Sequence, residues 1–152
     1  MWVYLDTNIF GRPFDDRSQF RIALEAEACL LILELVKQKK VNCFGSDILR
    51  LEISRGPIQK RLQIQSLLEL CSRHVSETNE LKSLAMQISE EGRIHGRDAL
   101  HIASACIGKA EYFITCDDIL VKKNRRIENM VKRLGYNIKI ISPLYFIEEI
   151  KL

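Results

Sequence analysis

The 152-residue chain has no C-x-x-C pair, no apolar run longer than a few residues, no internal repeat and no low-complexity segment or interdomain linker. Each absence removes a class. Without a long apolar run, a membrane-spanning helix is not expected, and without a basic stretch in the first ten residues neither is a secretory signal. A cytoplasmic address is therefore expected. The five cysteines (Cys29, Cys43, Cys71, Cys106, Cys116) are odd in number, widely spaced and set among apolar residues. They read as small buried hydrophobes in a reducing compartment rather than zinc ligands or disulfides. The three histidines, His74, His95 and His101, show no zinc spacing. Net charge is only +3, which permits a phosphate-bearing partner without demanding one. With 47% hydrophobic and 28% charged residues, positions 1–152 are expected to form one globular domain around one core.

What is present is placed at the ends of short apolar runs. Trp2 to Leu5 predicts a buried strand, and the run stops on Asp6-Thr7-Asn8. Strands buried on both faces belong to parallel sheets, whose ligands sit beyond the carboxyl ends of the strands. Asp6 and Asn8 suit a plain turn equally well, because Asp and Asn bond their own backbone there. Gly11 to Arg17 reads as a loop, with Ser18 as the cap of a helix that ends near Lys40. Ile22, Ala26, Cys29, Leu30, Leu33 and Val36 form its apolar face. Val41 to Phe44 predicts a second strand, and Ser46 or Asp47 caps the next helix. On that helix Glu52 shares a face with Ile48 and Leu49, although an edge position paired with Arg55 fits the same spacing. Gly56-Pro57 breaks the helix, and Ile58 to Leu70 resumes one with Arg and Lys interleaved. Cys71 to Val75 reads as a short edge strand. Thr78 caps a helix carrying Leu81, Leu84, Ala85 and Ile88.

Gly96-Arg97-Asp98 opens a helix of small apolar residues, with Asp98 in its first turn. A first-turn acid is favoured by the helix dipole alone. Yet Asp98, His101, Ile102 and Ala105 share one side, which places Asp98 at the mouth of the core. His101 reads as a hydrogen-bonded structural histidine or as a donor to a carboxylate or phosphate. Glu111 to Thr115 then repeats the opening plan, a short strand ending in Thr115-Cys116-Asp117-Asp118. A single helix is expected from Ile119 to Leu134, strongly basic through Lys122, Lys123, Arg125 and Arg126. Ile138 to Ile141 predicts the last strand, and Pro143 opens a closing helix to Leu152. Strands alternating with helices predict an α/β domain with a parallel sheet. If the first and fourth strands are neighbours, Asp6 meets Thr115 and Asp117 where the strand order reverses, and Glu52 and Asp98 face the same crevice. Carboxylates so close cannot all stay ionised without a cation. Mg²⁺ or Mn²⁺ is the natural occupant, and such a centre suits phosphodiester hydrolysis.

Asp6-Thr-Asn8, then Glu52, then Asp98-Ala-Leu-His-Ile-Ala-Ser-Ala105, then Ile114-Thr-Cys-Asp117 resembles the PIN domain, and within it the VapC-like toxins. The resemblance covers essentially the whole chain. It implies a three-layer α/β/α fold with a central parallel sheet of about five strands, and a Mg²⁺- or Mn²⁺-dependent endoribonuclease. Its acidic positions carry over to Asp6, Glu52, Asp98 and Asp117, with Asp6, Asp98 and Asp117 on the metal and Asn8 and Thr115 in support. Asp118 stands beside Asp117, but the T-x-D spacing selects Asp117; Asp47 is the other acid of the Glu52 helix. Arg12, Arg97, Lys122, Lys123, Arg125 and Arg126 are candidate contacts to RNA phosphates. An antitoxin protein and a homodimer are the implied partners. The alternative is a PIN module that binds RNA or protein without cutting. A haloacid-dehalogenase-like phosphatase would want a second Asp two residues after Asp6, where this chain has Asn8. A receiver-type domain would want an Asp ending the third strand, and none stands near Val75.

Overall fold

The computed structural model describes residues 1–150. Its elements are β1 (Trp2–Leu5), α1 (Thr7–Gly11), a 3₁₀ turn (Arg12–Phe14), α2 (Phe20–Lys37), β2 (Asn42–Ser46), α3 (Asp47–Ser54) and α4 (Ile58–Leu68). There follow β3 (Arg73–Val75), α5 (Asn79–Gly92), α6 (Gly96–Ile107), β4 (Tyr112–Ile114), α7 (Asp118–Lys122), α8 (Asn124–Arg133), β5 (Lys139–Ile141) and α9 (Pro143–Ile150). The five strands form one all-parallel sheet in the order β3-β2-β1-β4-β5. β1 is central, and its neighbours are β2 and β4, so the strand order reverses beside it.

Alternation along β1 sorts its side chains between two cores. Tyr4 packs with Phe44, Phe113, Ile88, Ile102 and Ile127 under α5, α6 and α8. Val3 and Leu5 pack with Ile32, Val36, Leu49 and Phe146 under α2, α3 and α9. The result is a three-layer α/β/α arrangement, as expected. Small residues let α6 lie close to the sheet. Its ending glycine, Gly108, is in contact with the Phe44 ring, and a Cβ there would stand 2.4 Å from that ring. The outermost strand β3 is short and carries Arg73 and His74, which blunts an edge otherwise open to strand pairing.

Several local expectations need correction. Ser18 does not cap α2: the helix starts at Phe20 behind Gln19, which makes no side-chain cap, and Asp16 holds the Ser18 N–H instead. The helix ends at Lys37 rather than near Lys40, and Leu30 faces solvent, its inward place taken by Ile32. Gly11 to Arg17 is not a loop throughout, since Gly11 ends a short helix that starts at Thr7 and Arg12 to Phe14 is a 3₁₀ turn. The basic segment is two helices, α7 and α8, meeting at Lys123-Asn124, and not one from Ile119 to Leu134. Ser46 and Thr78 do cap their helices, accepting from Leu49 and Leu81 N–H. The last two positions of the expected closing helix lie outside the described residues. The cysteines are free thiols, four of them buried. Among the described residues, no helix is long and apolar enough to cross a membrane.

Candidate metal centre

The carboxyl ends of β1 and β4 are tied together by side chains. β1 runs into Asp6, whose N–H bonds the Ile114 carbonyl of β4 at 3.0 Å. The Thr115 hydroxyl donates to Asp6 Oδ2 at 2.7 Å, and the Thr7 N–H donates to Oδ1 at 2.8 Å. Asn8 spans the same gap: its amide donates to Thr115 Oγ1 at 3.3 Å, while its Oδ1 accepts the Cys116 N–H at 3.0 Å. The Asp117 N–H donates to Thr115 Oγ1 at 3.0 Å, and Asp117 Oδ1 caps α7 through the Ile119 and Leu120 N–H groups. Asn8 and Thr115 thus bond to Asp6 and to the backbone N–H groups of Cys116 and Asp117.

Glu52 arrives on α3, one turn and a residue beyond Asp47. Its Oε1 accepts the Thr7 hydroxyl and, at 2.6 Å, His101 Nε2 of α6. Asp47 turns the other way, to His74 Nε2 at 2.6 Å and the Glu77 N–H at 2.8 Å. Behind His101 lies a buried polar chain that the sequence does not disclose. Tyr4 Oη stands 2.6 Å from His101 Nδ1 and 2.6 Å from Ser46 Oγ, and Ser46 Oγ accepts the Leu49 N–H. A carboxylate only accepts, so His101 Nε2 carries a proton. With a neutral ring, Nδ1 accepts from Tyr4, Tyr4 accepts from Ser46, and every buried donor and acceptor is used. A charged ring would reverse the Tyr4 hydroxyl and leave the Ser46 proton without a partner in this chain. Tyr4 itself is enclosed between Phe113, stacked at 5.5 Å, and the edge of Phe44. One general signal points toward such a chain: a tyrosine in a wholly buried strand needs a partner for its hydroxyl.

Asp6, Glu52, Asp98 and Asp117 all line one cavity of about 520 Å³, reached from β1, α3, the first turn of α6 and the end of β4. Asn8, Arg12 and Arg97 line it too. Lys122, Arg125 and Arg126 do not; Lys123 lines an adjoining cavity of about 370 Å³ that shares Asp98 and Asp117 with the first. Arg126 Nε is bound to the Glu91 carbonyl at 2.9 Å, and Lys123 Nζ to the Arg93 carbonyl at 2.6 Å. The wall of α3 and α4 adds Arg55, which the sequence offers as a partner for Glu52 although Arg97 and His101 take that place, and Lys60 and Arg61, which stand in the sequence only as charges interleaved along a helix.

The electrostatics are those of too many acids in one place. Burial pushes Asp6 up from its ordinary value, against the pull of His101, Thr115 and Thr7, with Glu52 adding to the rise. Asp98 is pushed up to about 6, first by burial and then by the charges of Asp6 and Asp117. Burial acts on Glu52 in the same direction but is outweighed by the His101 and Thr7 hydrogen bonds, so its pKa falls. His101 is raised, because burial lowers it and its contacts with Glu52, Asp6 and Asp98 more than compensate; the acids thus favour the charged ring and the Tyr4–Ser46 chain the neutral one.

This donor set fits a hard divalent cation, which prefers oxygen and relieves the repulsion among carboxylates. Ligand atoms of Asp6, Glu52 and His101 lie within 4.8 Å of one another. His101 is nonetheless a poor ligand here, because Nε2 presents its proton to Glu52 and Nδ1 faces Tyr4. Of that group, Asp6 and Glu52 offer oxygens to an ion, and Asp98 and Asp117 line the same cavity without belonging to the group.

No protein-family model matches the chain, and no curated protein matches it in sequence. Among solved structures, it is similar in fold to a chain from the crystal structure of VapBC2 from Rickettsia felis bound to a DNA fragment from their promoter. The match has a TM-score of 0.55 at 21% identity and covers 92% of this chain and 98% of that one. The likeness is therefore one of architecture and extends over nearly the whole of both chains.

Proposed function

We propose that this chain is a divalent-metal-dependent endoribonuclease of the PIN, VapC-like kind. The observation that carries the proposal is the convergence of four acids from four separate elements on one cavity, with Asp98 pushed to about 6 by burial and its acidic neighbours. The fold shared with a VapBC2 chain supports the same reading. Asp6, Asp98 and Asp117 would hold Mg²⁺ or Mn²⁺, with Glu52 as the fourth acid of the set. Such a cation would supply a lowered pKa for the attacking water and neutralisation of charge on the leaving oxygen.

The chain's own groups supply the rest. Attack of water on phosphorus breaks the bond to the leaving nucleoside oxygen, so the water must be held in line with that bond. Glu52, kept ionised by His101 and Thr7, is a weak base and a good acceptor, suited to orienting the water rather than taking its proton. Asn8 and Thr115 fix the carboxylates in place, and Arg97, whose Nη1 lies 3.8 Å from Glu52 Oε2, is placed to meet the phosphate. Arg12 and the Lys122-to-Arg126 run remain candidate contacts for the flanking strand. A protein partner of the antitoxin kind and a homodimer belong to the same reading.

Asp6→Asn should keep the fold, judged by circular dichroism, and lower Mn²⁺-dependent cleavage of single-stranded RNA by about a hundredfold or more, since metal assistance supplies several kcal/mol. Cleavage at the parental rate by the purified variant would refute the assignment.

A further inference from the structure

The cavity has a second wall that the nuclease reading does not use. Arg55 follows the end of α3 as its cap, Gly56-Pro57 turns the chain, and the first turn of α4 brings back Lys60 and Arg61. All three cations line the same cavity as Asp6 and Glu52. Lys60 Nζ lies 3.7 Å from Asp15. Among the described residues, no carboxylate stands within ion-pair distance of Arg55 or Arg61. The Arg61 guanidinium is anchored by Nη2 to the Gly56 carbonyl at 2.9 Å, while its Nε is buried with no hydrogen-bond partner. Across the cavity, Arg12 is held by Asp15 through Nη1 at 3.1 Å, and its Nε, 3.9 Å from Glu25 Oε1, is likewise buried without a hydrogen-bond partner. Among the described residues these two Nε atoms are the buried side-chain polar atoms left without a partner, and both belong to guanidiniums of this cavity. A buried donor left without a hydrogen bond is costly, and a small reorientation toward an incoming oxyanion relieves that cost.

A second argument comes from charge. A nucleic-acid backbone approaching Asp6, Glu52, Asp98 and Asp117 is repelled until it meets compensating cations. The wall of Arg55, Lys60 and Arg61 is where the cavity supplies them, and guanidinium forks match phosphate oxygens two at a time. A cleft of about 520 Å³ is that of a small-molecule pocket, a size that suits a splayed-out nucleotide.

We infer that Arg55, Lys60 and Arg61 form an anion subsite that grips a backbone phosphate of single-stranded RNA beside the acidic centre, with Arg12 closing it from the α1 side. The inference rests on the nuclease reading of the cavity and names the groups that hold its substrate. Its test is fluorescence anisotropy of a short labelled oligouridylate in EDTA, comparing the parent with Arg55→Gln/Arg61→Gln and with Lys37→Gln/Lys40→Gln. The control removes equal charge at the opposite end of the strands. The subsite variant should bind about tenfold or more weakly, and the slope of log affinity on log salt should fall by about 0.7 for each phosphate no longer neutralised. The control should retain the parental affinity and slope, and a matched RNA duplex should compete poorly. Parental RNA affinity in the subsite variant, or an equal loss in the control, overturns the inference, the first result leaving this wall to an acidic protein segment. A duplex that competes as well as the single strand overturns the assignment to single strands. Mn²⁺ calorimetry on the same proteins separates the two readings. An unchanged Mn²⁺ affinity in the subsite variant is expected, whereas a parent that binds no Mn²⁺ defeats the nuclease reading whatever the anisotropy shows.

Discussion

Asp98 is the residue on which the state of the cavity is most visible. Its folded pKa of about 6, against an ordinary 3.8, comes from burial first and then from Asp6 and Asp117. A raised carboxyl pKa means that the folded chain holds a proton which the unfolded chain has released between about pH 4 and 6. This residue's contribution to stability therefore falls as pH rises through that window and is most unfavourable above it. Asp98→Asn should accordingly stabilise the metal-free protein at pH 8 and leave it unchanged near pH 4. The side chain is half-buried, so solvent screening reduces the effect to on the order of 1 kcal/mol, or about 2–4 °C in Tm. Thermal melts in EDTA at the two pH values measure this. A variant that melts below the parent at pH 8, or one equally stabilised at pH 4, would contradict the account of the cavity as a cluster of mutually repelling acids. Asp98, Asp6 and Asp117 are legible from sequence because each ends an apolar run or opens a small-residue helix. Arg55 and Arg61 are not, since an arginine interleaved on a helix looks the same whether its face meets water or a cleft.

At the scale of elements, one buried chain of hydrogen bonds ties β1, α3 and α6 into a unit: Ser46 to Tyr4, Tyr4 to His101, His101 to Glu52. The carboxylate of α3 is set by a tyrosine of β1 that never reaches the cavity. Tyr4→Phe keeps the ring packed between Phe113 and Phe44 but leaves His101 Nδ1 and the Ser46 hydroxyl unpaired, at a cost of about 1–3 kcal/mol. Removing such an outer support should also weaken Mn²⁺ binding by about 10–100-fold. Calorimetric titration of the variant with Mn²⁺ checks this, and parental affinity would show that Glu52 needs no such support. The sequence signals that Tyr4 and His101 need hydrogen-bond partners but not which ones, because Ser46, Tyr4 and His101 meet across 42 and 97 positions. The helix caps that do read correctly, Ser46 and Thr78, are local and carry their signal within three residues. Ser18 carries the same signal and loses to the turn made by Asp16. Likewise, continuous charge suggests one helix from Ile119 to Leu134, and the break at Lys123-Asn124 separates α7, capped by Asp117, from α8, whose Ile127, Met130 and Val131 are buried.

For the whole molecule, the parallel sheet and its strand order decide what meets what. β1 lies between β2 and β4, and this adjacency brings Asp6 to Thr115 across 109 positions and sets α3 and α6 on either side of the switch point. Alternation of strands and helices makes the class of fold readable in the sequence, and the ends of the apolar runs mark where its cleft lies. The depth of that cleft and its cationic wall are products of packing between α1, α3 and α4, which periodicity does not encode. The central claim is that the acids gathered at this switch point form a divalent-cation site. A crystal soaked in Mn²⁺ tests it most directly. The account predicts an anomalous peak bounded by the carboxylates of Asp6, Asp98 and Asp117, at oxygen distances of about 2.1 Å, and no such peak in Asp6→Asn. A map with no peak in the cavity, or one in which the ion sits on His101 or elsewhere on the surface, would contradict it.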